Sequence, residues 1–496
     1  MTLIRPKIDP FNLSGLKTFE ISGELDSNVF LTGVNLDSNQ IHAGDLFVAL
    51  SGEKTHGAAH ASQAINKGAA AILTDEVGSN LIPDSITVPV LTITNLRKKL
   101  GDISSKIYGD PSTKLKIFGI TGTNGKTTTS WLLNSGLTSA GIKTGLFGTA
   151  GIKIGDLSFD STRTTPEAPH LQAMLALALE QGMSAVVMEV SSHALALDRV
   201  GGTRFEAVGF TNLSQDHLDF HGNMEAYFKA KQKLFSKKYS SFSAICLQDK
   251  WGQRLAAEVD IPKTTIGTQS YANWILEDIS PALGHVDFNI ATPKGEKFEI
   301  KLEFAGAFNA FNAALALALT QNLGISVEEF IKGLRKAHIP GRMEPILIPG
   351  KALGVVDYAH TPEAITAVIS TLRGQTNGRV IAVLGAGGNR DASKRKLMSE
   401  AARDADLLVI TDDNPRFEDP KSIRAELLAG IKDHSNVVEI SDRKEAIFYA
   451  ANNSTALDTV VVLGKGHETY QEIGEKHYPF SDSEVLYQAL NDSAST

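Results

Sequence analysis

Short apolar runs bounded by turn formers recur along this chain, and stretches with apolar residues three or four apart separate many of them. Runs of the first kind read as buried strands and stretches of the second as amphipathic helices. Up to about residue 110 the pattern places apolar stretches at 34–38 and 44–50, a helix near 60–68 and a strand at 69–73, a small α/β domain. Tyr108-Gly109-Asp110-Pro111-Ser112 is rich in turn formers and reads as a linker. Next come a strand at 115–120, a Gly-rich loop, a helix through about 140, and strands at 185–190, 207–211 and 244–247. Their alternation with helical stretches predicts a largely parallel sheet flanked by helices. A strongly apolar helix is expected at 306–319, and Ile339-Pro340-Gly341 marks a break. Beyond it, strands at 354–357, 380–384, 407–411 and 459–463 alternate with helices, the pattern of a doubly wound domain. The expected fold class is therefore α/β with domains at 1–110, 111–339 and 340–496, and without internal repeats.

Composition narrows the function. With 496 residues the chain is too long for one ordinary core. Its 42% hydrophobic and 21% charged residues read as soluble and globular. A formal net charge of −8 and the lack of basic runs argue against a nucleic-acid partner, although a local basic pocket would still suit an anionic small substrate. Cys246 is the single cysteine, which excludes an intrachain disulfide and a cysteine metal cluster; its apolar surroundings suggest packing. The N-terminal Met-Thr-Leu-Ile-Arg-Pro-Lys carries no apolar core of signal-peptide length, and no apolar run reaches membrane-spanning length. A cytoplasmic protein without membrane contact is expected.

Candidate chemistry concentrates in three places. Gly122-Thr123-Asn124-Gly125-Lys126-Thr127-Thr128 lies between a strand and a helix. Small residues let backbone N–H groups face phosphate oxygens, Lys126 reaches the outer phosphates, and the Thr127 hydroxyl suits Mg²⁺. The strict phosphate loop has a glycine where Ile120 stands, so this is a variant of it. Glu189, in Met188-Glu189-Val190-Ser191-Ser192-His193, ends an apolar strand, where a carboxylate can hold Mg²⁺. The polar stretch 211–222 follows another strand, and one of its histidines is a candidate metal ligand.

These residues resemble the Mur ligase family, the ATP-dependent enzymes that build the peptide of peptidoglycan, and the resemblance spans essentially the whole chain. The stretch 121–128 resembles the family's Thr-Gly-Thr-Asn-Gly-Lys-Thr-Thr, 189–193 its Glu-Val-Ser-Ser-His, and 212–222 its Asp-His-Leu-Asp-x-His-Gly loop. The resemblance implies a UDP-binding domain, a central ATP-binding domain and a Rossmann-like C-terminal domain. It implies Glu189 and His217 as Mg²⁺ ligands with Thr127 at the nucleotide's metal, and Lys231 as a carbamylated lysine (N6-carboxylysine). Ser38, Thr164, Thr165, Ser191 and Arg199 resemble contacts to the UDP-muramoyl substrate. Asn309 and Asn312 resemble ATP-site residues, although on their own they read as two polar positions on one helix face. Arg342 and Asp357 resemble nucleotide contacts from the C-terminal domain. Because they lie beyond the break at Pro340-Gly341, while Lys126 and Glu189 lie before it, that break is expected to be a closure hinge.

Asp413-Asn414-Pro415-Arg416 resembles the signature of members that add diaminopimelate; alone, it is a good turn sequence. Arg390, Gly464 and Glu468 resemble the remaining contacts to that amino acid. Its far carboxylate suits a guanidinium and its far ammonium suits carboxylates. If Arg416 grips that carboxylate, lysine is expected to leave a buried guanidinium unpaired. Asn39, Asn389 and Ser483 depart from the family's usual residues. The implied reaction uses ATP and Mg²⁺ to activate UDP-N-acetylmuramoyl-L-alanyl-D-glutamate as an acyl phosphate, which the amine of meso-diaminopimelate attacks. A monomer is expected. The rival readings are a lysine-adding member, disfavoured by Arg390 and Arg416, a folylpolyglutamate synthetase, and a phosphate-loop switch or motor acting on a macromolecule.

Overall fold

The computed structural model describes residues 5–52, 55–161, 163–282 and 284–493. Residues 1–4, part of the segment read for a leader, lie outside these. The N-terminal sheet is parallel, in the order Gly33–Asn35, Asp45–Ala49, Ala71–Thr74, Val90–Thr92. The helix Leu96–Ile107 follows and packs against the central segment. Gly101 makes that approach possible, since a Cβ there would strike the backbone of Gly201. Glycine inside a helix costs up to about 1 kcal/mol, which the closer packing offsets.

Among the described residues the central sheet has eleven strands. Its middle is parallel, in the order Thr144–Gly148, Ala185–Glu189, Lys116–Thr121, Ala207–Phe210, Ser243–Cys246, Lys263–Gly267. The chain winds one way and then the other from Lys116–Thr121, so a crevice opens at the carboxyl ends of this strand and its two neighbours, where ligands bind in such sheets. Both edges differ from the expected parallel sheet. Trp274–Ala282, His285–Ala291 and Lys297–Leu302 form an antiparallel meander on one edge, and Gly151–Ile154 with Leu157–Phe159 a hairpin on the other. In the meander Val286, Phe288 and Ile290 are buried while the residues between them are partly exposed, the alternation of a one-sided sheet. Its inner face is covered by the apolar helix Ala307–Ala318, which also packs on Lys126–Ser139, the helix after the phosphate loop.

The C-terminal sheet runs Glu344–Ile346, Leu353–Asp357, Thr459–Leu463, Val380–Leu384, Leu407–Ile410, Val437–Glu439, with only the first strand antiparallel. Helices pack in separate apolar clusters on its two faces. A small hairpin, Tyr470–Ile473 with Lys476–Pro479, stands off this sheet and has no counterpart in the sequence reading. No described helix is long and apolar enough to cross a membrane, and Cys246 is buried as expected.

Candidate active site

The loop at 122–125 turns through two glycines with positive φ, 146° at Gly122 and 84° at Gly125. Neither tolerates a side chain, because a Cβ on Gly122 would meet the Thr211 hydroxyl and one on Gly125 the Asn312 side chain. Asn124 is braced from the strand end at 211–212: its amide donates to Asn212 Oδ1 at 3.0 Å, and its carbonyl accepts the Thr211 hydroxyl at 2.6 Å. Thr123 bonds the Tyr227 hydroxyl at 3.1 Å. Thr127 and Thr128 are buried in the first turn of the following helix. Under the loop, Asn312 accepts the Thr129 hydroxyl at 3.3 Å and donates to Asn309 Oδ1 at 3.0 Å. The two asparagines thus buttress the loop from below, sharing one helix face as their spacing suggested.

Two lysines meet at this loop, Lys126 half-buried and Lys231 buried. Lys126 Nζ donates to the carbonyls of Gly122 and Thr123 at 3.1 and 2.8 Å, positions it can leave for phosphate oxygens. Lys231 Nζ, on a side chain 1% exposed, donates to the same Gly122 carbonyl at 2.7 Å. Burial lowers the Lys126 pKa. Burial first, and then the charge of Lys126, drive Lys231 well below the usual lysine value. Such a lysine favours its neutral amine.

Glu189 is 2% exposed, and among the described residues its carboxylate has hydroxyl and amide donors but no ion-pair partner. Oε1 accepts the Thr127 hydroxyl at 3.0 Å and the Thr149 amide at 2.9 Å, and Oε2 the Thr149 hydroxyl at 3.1 Å. Arg342 Nη2 donates to that same Thr127 hydroxyl at 3.0 Å, with its guanidinium 4.3 Å over the Tyr358 ring. The C-terminal segment therefore reaches the phosphate loop in this arrangement. Asp357 is bonded within its own segment. Its two oxygens accept the amides of Met343 and Ala359, both at 2.7 Å, so it holds the backbone beside Arg342. Burial raises its pKa.

His217 adopts a left-handed backbone, φ 55°, and its ring lies 4.7 Å from that of His193. Burial pushes its pKa down to about 3, leaving a neutral imidazole with a free lone pair. The adjacent Asp216 is a hub the sequence did not reveal. It accepts Lys394 Nζ at 3.1 Å and lies 3.8 Å from His360 Nε2, both from the C-terminal segment. Burial alone would raise the Asp216 pKa, but His360, Lys394 and His217 together hold it well below the usual carboxylate range.

Of the residues expected at the UDP-substrate, four belong to the central segment. The Thr164 and Thr149 hydroxyls lie within hydrogen-bond distance at 3.1 Å, Thr165 accepts the Ser191 amide at 3.0 Å, and Ser191 caps a short helix. Arg199 pairs with Glu167 at 2.9 Å. Ser38 stands apart in the N-terminal segment, donating to Gln63 at 2.7 Å, and Asn39 accepts from the same Gln63 at 2.9 Å.

The residues expected to contact the amino acid gather at the carboxyl end of the C-terminal sheet. Asp413 packs against Gly464, where a Cβ would meet its carboxylate at 2.5 Å. Asn414 donates to Glu468 at 2.7 Å and accepts the fully buried Lys465 ammonium at 3.0 Å. Lys465 also reaches Glu468 at 3.0 Å and the Tyr470 carbonyl at 2.6 Å. Arg390 is exposed, its nearest acceptor being the adjoining Asn389 carbonyl at 3.3 Å. Asn389 sits at φ 50° and accepts the Phe417 amide at 3.0 Å, so an asparagine suits this left-handed position. Ser483, the other departure in this segment, donates to Glu344 at 3.1 Å. Arg416 is not unpaired: Nε donates to Glu472 at 2.7 Å and Nη1 to the Gly388 carbonyl at 2.8 Å. The expectation that lysine would strand a lone guanidinium is corrected accordingly, because Glu472 would remain beside it. Thr149, Lys394 and Glu472 carried no signal that marked them as site residues, and Asp216 and Lys465 lay inside marked stretches without being singled out.

Known proteins resemble this chain over nearly its whole length. Residues 31–108 match the family description "Mur ligase family, catalytic domain", 120–320 "Mur ligase middle domain", and 341–466 "Mur ligase, glutamate ligase domain". UDP-N-acetylmuramoyl-L-alanyl-D-glutamate--2,6-diaminopimelate ligase of Corynebacterium glutamicum is 43% identical over 476 residues, 93% of this chain and 92% of its own length. The protein of the same name from Caldanaerobacter subterraneus subsp. tengcongensis is 40% identical over 483 residues, covering 97% of this chain and 98% of its own. A solved structure of a ligase of that name superposes with a TM-score of 0.69 at 32% identity, covering 97% of this chain and 99% of the other. The MurF ligase of Thermotoga maritima in complex with ADP shares the fold, with a TM-score of 0.63 at 18% identity over 93% of this chain and 96% of its own. This chain belongs to the Mur ligase family.

Proposed function

We propose that this enzyme joins meso-diaminopimelate to UDP-N-acetylmuramoyl-L-alanyl-D-glutamate, with ATP hydrolysed to ADP and phosphate. The observation that carries the reading is the convergence of Lys126, Thr127, Glu189 and Arg342 from two segments on one phosphate loop. The terminal carboxylate of the D-glutamate is a poor electrophile, so it first attacks the γ-phosphorus of ATP. ADP leaves, and the resulting acyl phosphate is attacked by the amine, which expels phosphate. Lys126 and Arg342 stabilise charge on the transferring phosphoryl group, donors already aimed at the loop and so costing little reorganisation. Asp357 keeps Arg342 in place through the Met343 amide.

The donor set suits Mg²⁺. A buried carboxylate without an ion pair, a threonine hydroxyl and a neutral imidazole are hard or adaptable ligands, and Mg²⁺ takes few protein ligands when phosphates and water complete its shell. Glu189, Thr127 and His217 would hold the ion, which when bound would screen the phosphate charge. Lys231, as a carbamate, would add an anion beside them. The same reading assigns residues 1–110 to the UDP-sugar, 111–339 to ATP and ligation, and 340–496 to the incoming amino acid. Thr164, Thr165, Ser191, Arg199 and Ser38 would contact the UDP-linked peptide, and Arg390, Asp413, Asn414, Arg416, Gly464 and Glu468 the diaminopimelate. The enzyme is read as a cytoplasmic monomer.

The test is incubation with UDP-N-acetylmuramoyl-dipeptide, ATP, Mg²⁺ and a panel of amino acids, read by phosphate release and product mass. One tripeptide product carrying diaminopimelate supports the proposal. Phosphate release that depends on a macromolecule, with no amide product, defeats it.

A further inference from the structure

In the turn that carries Arg416, both backbone polar atoms of Arg416 are tied to the small hairpin. Arg416 itself has a left-handed backbone, φ 53°, unfavourable for an arginine and maintained by its neighbours. Its amide donates to the Glu472 carbonyl at 3.1 Å, and its carbonyl accepts the Gly474 amide at 2.8 Å. The Glu472 amide in turn donates to Asn414 Oδ1 at 2.9 Å. The side chains repeat the connection, Arg416 Nε on Glu472 Oε2 at 2.7 Å and Arg416 Nη1 on the Gly388 carbonyl at 2.8 Å. Nε and one N–H of Nη1 are thus engaged within the protein, and Nη2 has no hydrogen-bond partner among the described residues. Both side chains are largely buried, 16% and 25% exposed.

We infer that Glu472 is a specificity-determining positioning residue, acting on the incoming amino acid through Arg416. This rests on the reading of Arg416 as the contact to that amino acid's far carboxylate. Two consequences follow from one ion pair. By holding Nε, the Glu472 carboxylate fixes the guanidinium plane and presents Nη2 to the substrate, so a long side chain is ordered before the amino acid arrives. By being paired, Glu472 is itself neutralised. Freed from Arg416, its carboxylate would stand where the far end of the amino acid lies and would favour an ammonium with no carboxylate beside it, as in lysine. The pair therefore selects for diaminopimelate in the positive sense and against lysine in the negative one.

The test measures kcat and KM for meso-diaminopimelate and L-lysine in the wild-type enzyme, Glu472→Gln, Glu472→Asp, Arg416→Ala and the double variant Arg416→Ala/Glu472→Gln, with thermal melting as the folding control. In Glu472→Gln, KM for diaminopimelate should rise about tenfold, the worth of one charge-assisted hydrogen bond. Its kcat and the KM values for ATP and the UDP-linked dipeptide should stay near wild type, and Glu472→Asp should recover part of the loss. Arg416→Ala should narrow the preference for diaminopimelate, and adding Glu472→Gln to it should lower kcat/KM for lysine about tenfold again. An unchanged KM for diaminopimelate in Glu472→Gln overturns the proposal, as does an equal rise in all three KM values, the mark of a merely structural residue. If Arg416→Ala leaves the diaminopimelate-to-lysine ratio unchanged while the wild-type enzyme still makes the diaminopimelate product, the Arg416 contact is wrong and this inference falls with it, but the assigned reaction stands.

Discussion

Replacing Lys231 with alanine tests the least obvious part of the site. An ordinary lysine, with a pKa of about 10.4, pays roughly 3 kcal/mol to lose its proton at pH 8. Only the neutral amine reacts with CO₂, giving a carbamate and a proton, so that cost normally keeps carbamates rare. For Lys231 that cost is lower, because burial and the nearby charge of Lys126 already push its pKa well down. Carbamylation also turns the repulsion between two lysines sharing the Gly122 carbonyl into attraction. Removing an anion that orients the metal and the loop should cost about as much as losing an oxyanion-hole donor, roughly 3–4 kcal/mol or 10²–10³ in kcat. The assay is phosphate release with both substrates at pH 8, with and without bicarbonate. Carbon-13 NMR of wild-type enzyme in labelled bicarbonate reads the carbamate directly, and Lys231→Met controls for lost volume. Short carboxylates should partly restore Lys231→Ala. Turnover of that variant within about tenfold of wild type, less than half of the predicted loss in free energy, would refute the reasoning. So would fully active enzyme without a carbamate resonance.

Other outcomes follow from the same geometry. Lys126→Met should lower kcat by about 10²–10³ with little change in Tm, because its ammonium meets only loop carbonyls; circular dichroism melts alongside turnover check this. Arg342→Ala should lower kcat about 10²-fold with a smaller change in KM for ATP, measured by steady-state kinetics, because its guanidinium reaches the loop at Thr127. Burial holds the pKa of His467 down to about 4. The unfolded chain therefore takes up this proton first, and the associated stability, whole above about pH 6.5, is lost as pH falls toward 4; the difference is about 2 kcal/mol at pH 5. Urea melts of His467→Gln should show a flatter decline between pH 7 and 5 than wild type.

Much of this was legible in the chain. The strands at the middle of both large sheets are continuous apolar runs, which parallel strands buried on two faces require, and the phosphate loop is local in sequence. The meander was missed although Val286-Asp287-Phe288-Asn289-Ile290 alternates plainly; its three strands lack the flanking helices that marked the others. Glu189 was found because it ends an apolar strand, whereas its partner Thr149 follows an unremarked strand and shows its role only once the sheet brings the two strand ends together. Asp216 and Lys394 lie 178 positions apart, and Arg416 and Glu472 lie 56 apart. Pairings of that kind depend on how segments dock, and no spacing rule encodes them. Arg416 shows the consequence: its residue type suggested an anion-binding pocket, but its environment already contains a carboxylate. Discrimination against lysine then rests on one charge-assisted contact, about 1.5–3 kcal/mol, and not on a stranded charge.

The central claim is the choice of amino acid, and the ratio of kcat/KM for meso-diaminopimelate to that for L-lysine tests it most directly. The measurement uses the full chain with saturating ATP, Mg²⁺ and UDP-N-acetylmuramoyl-L-alanyl-D-glutamate. The account predicts a ratio above about 10, the lower limit that a single charge-assisted hydrogen bond at Arg416 sets. A ratio near or below one would contradict it and place this enzyme with the lysine-adding members of its family.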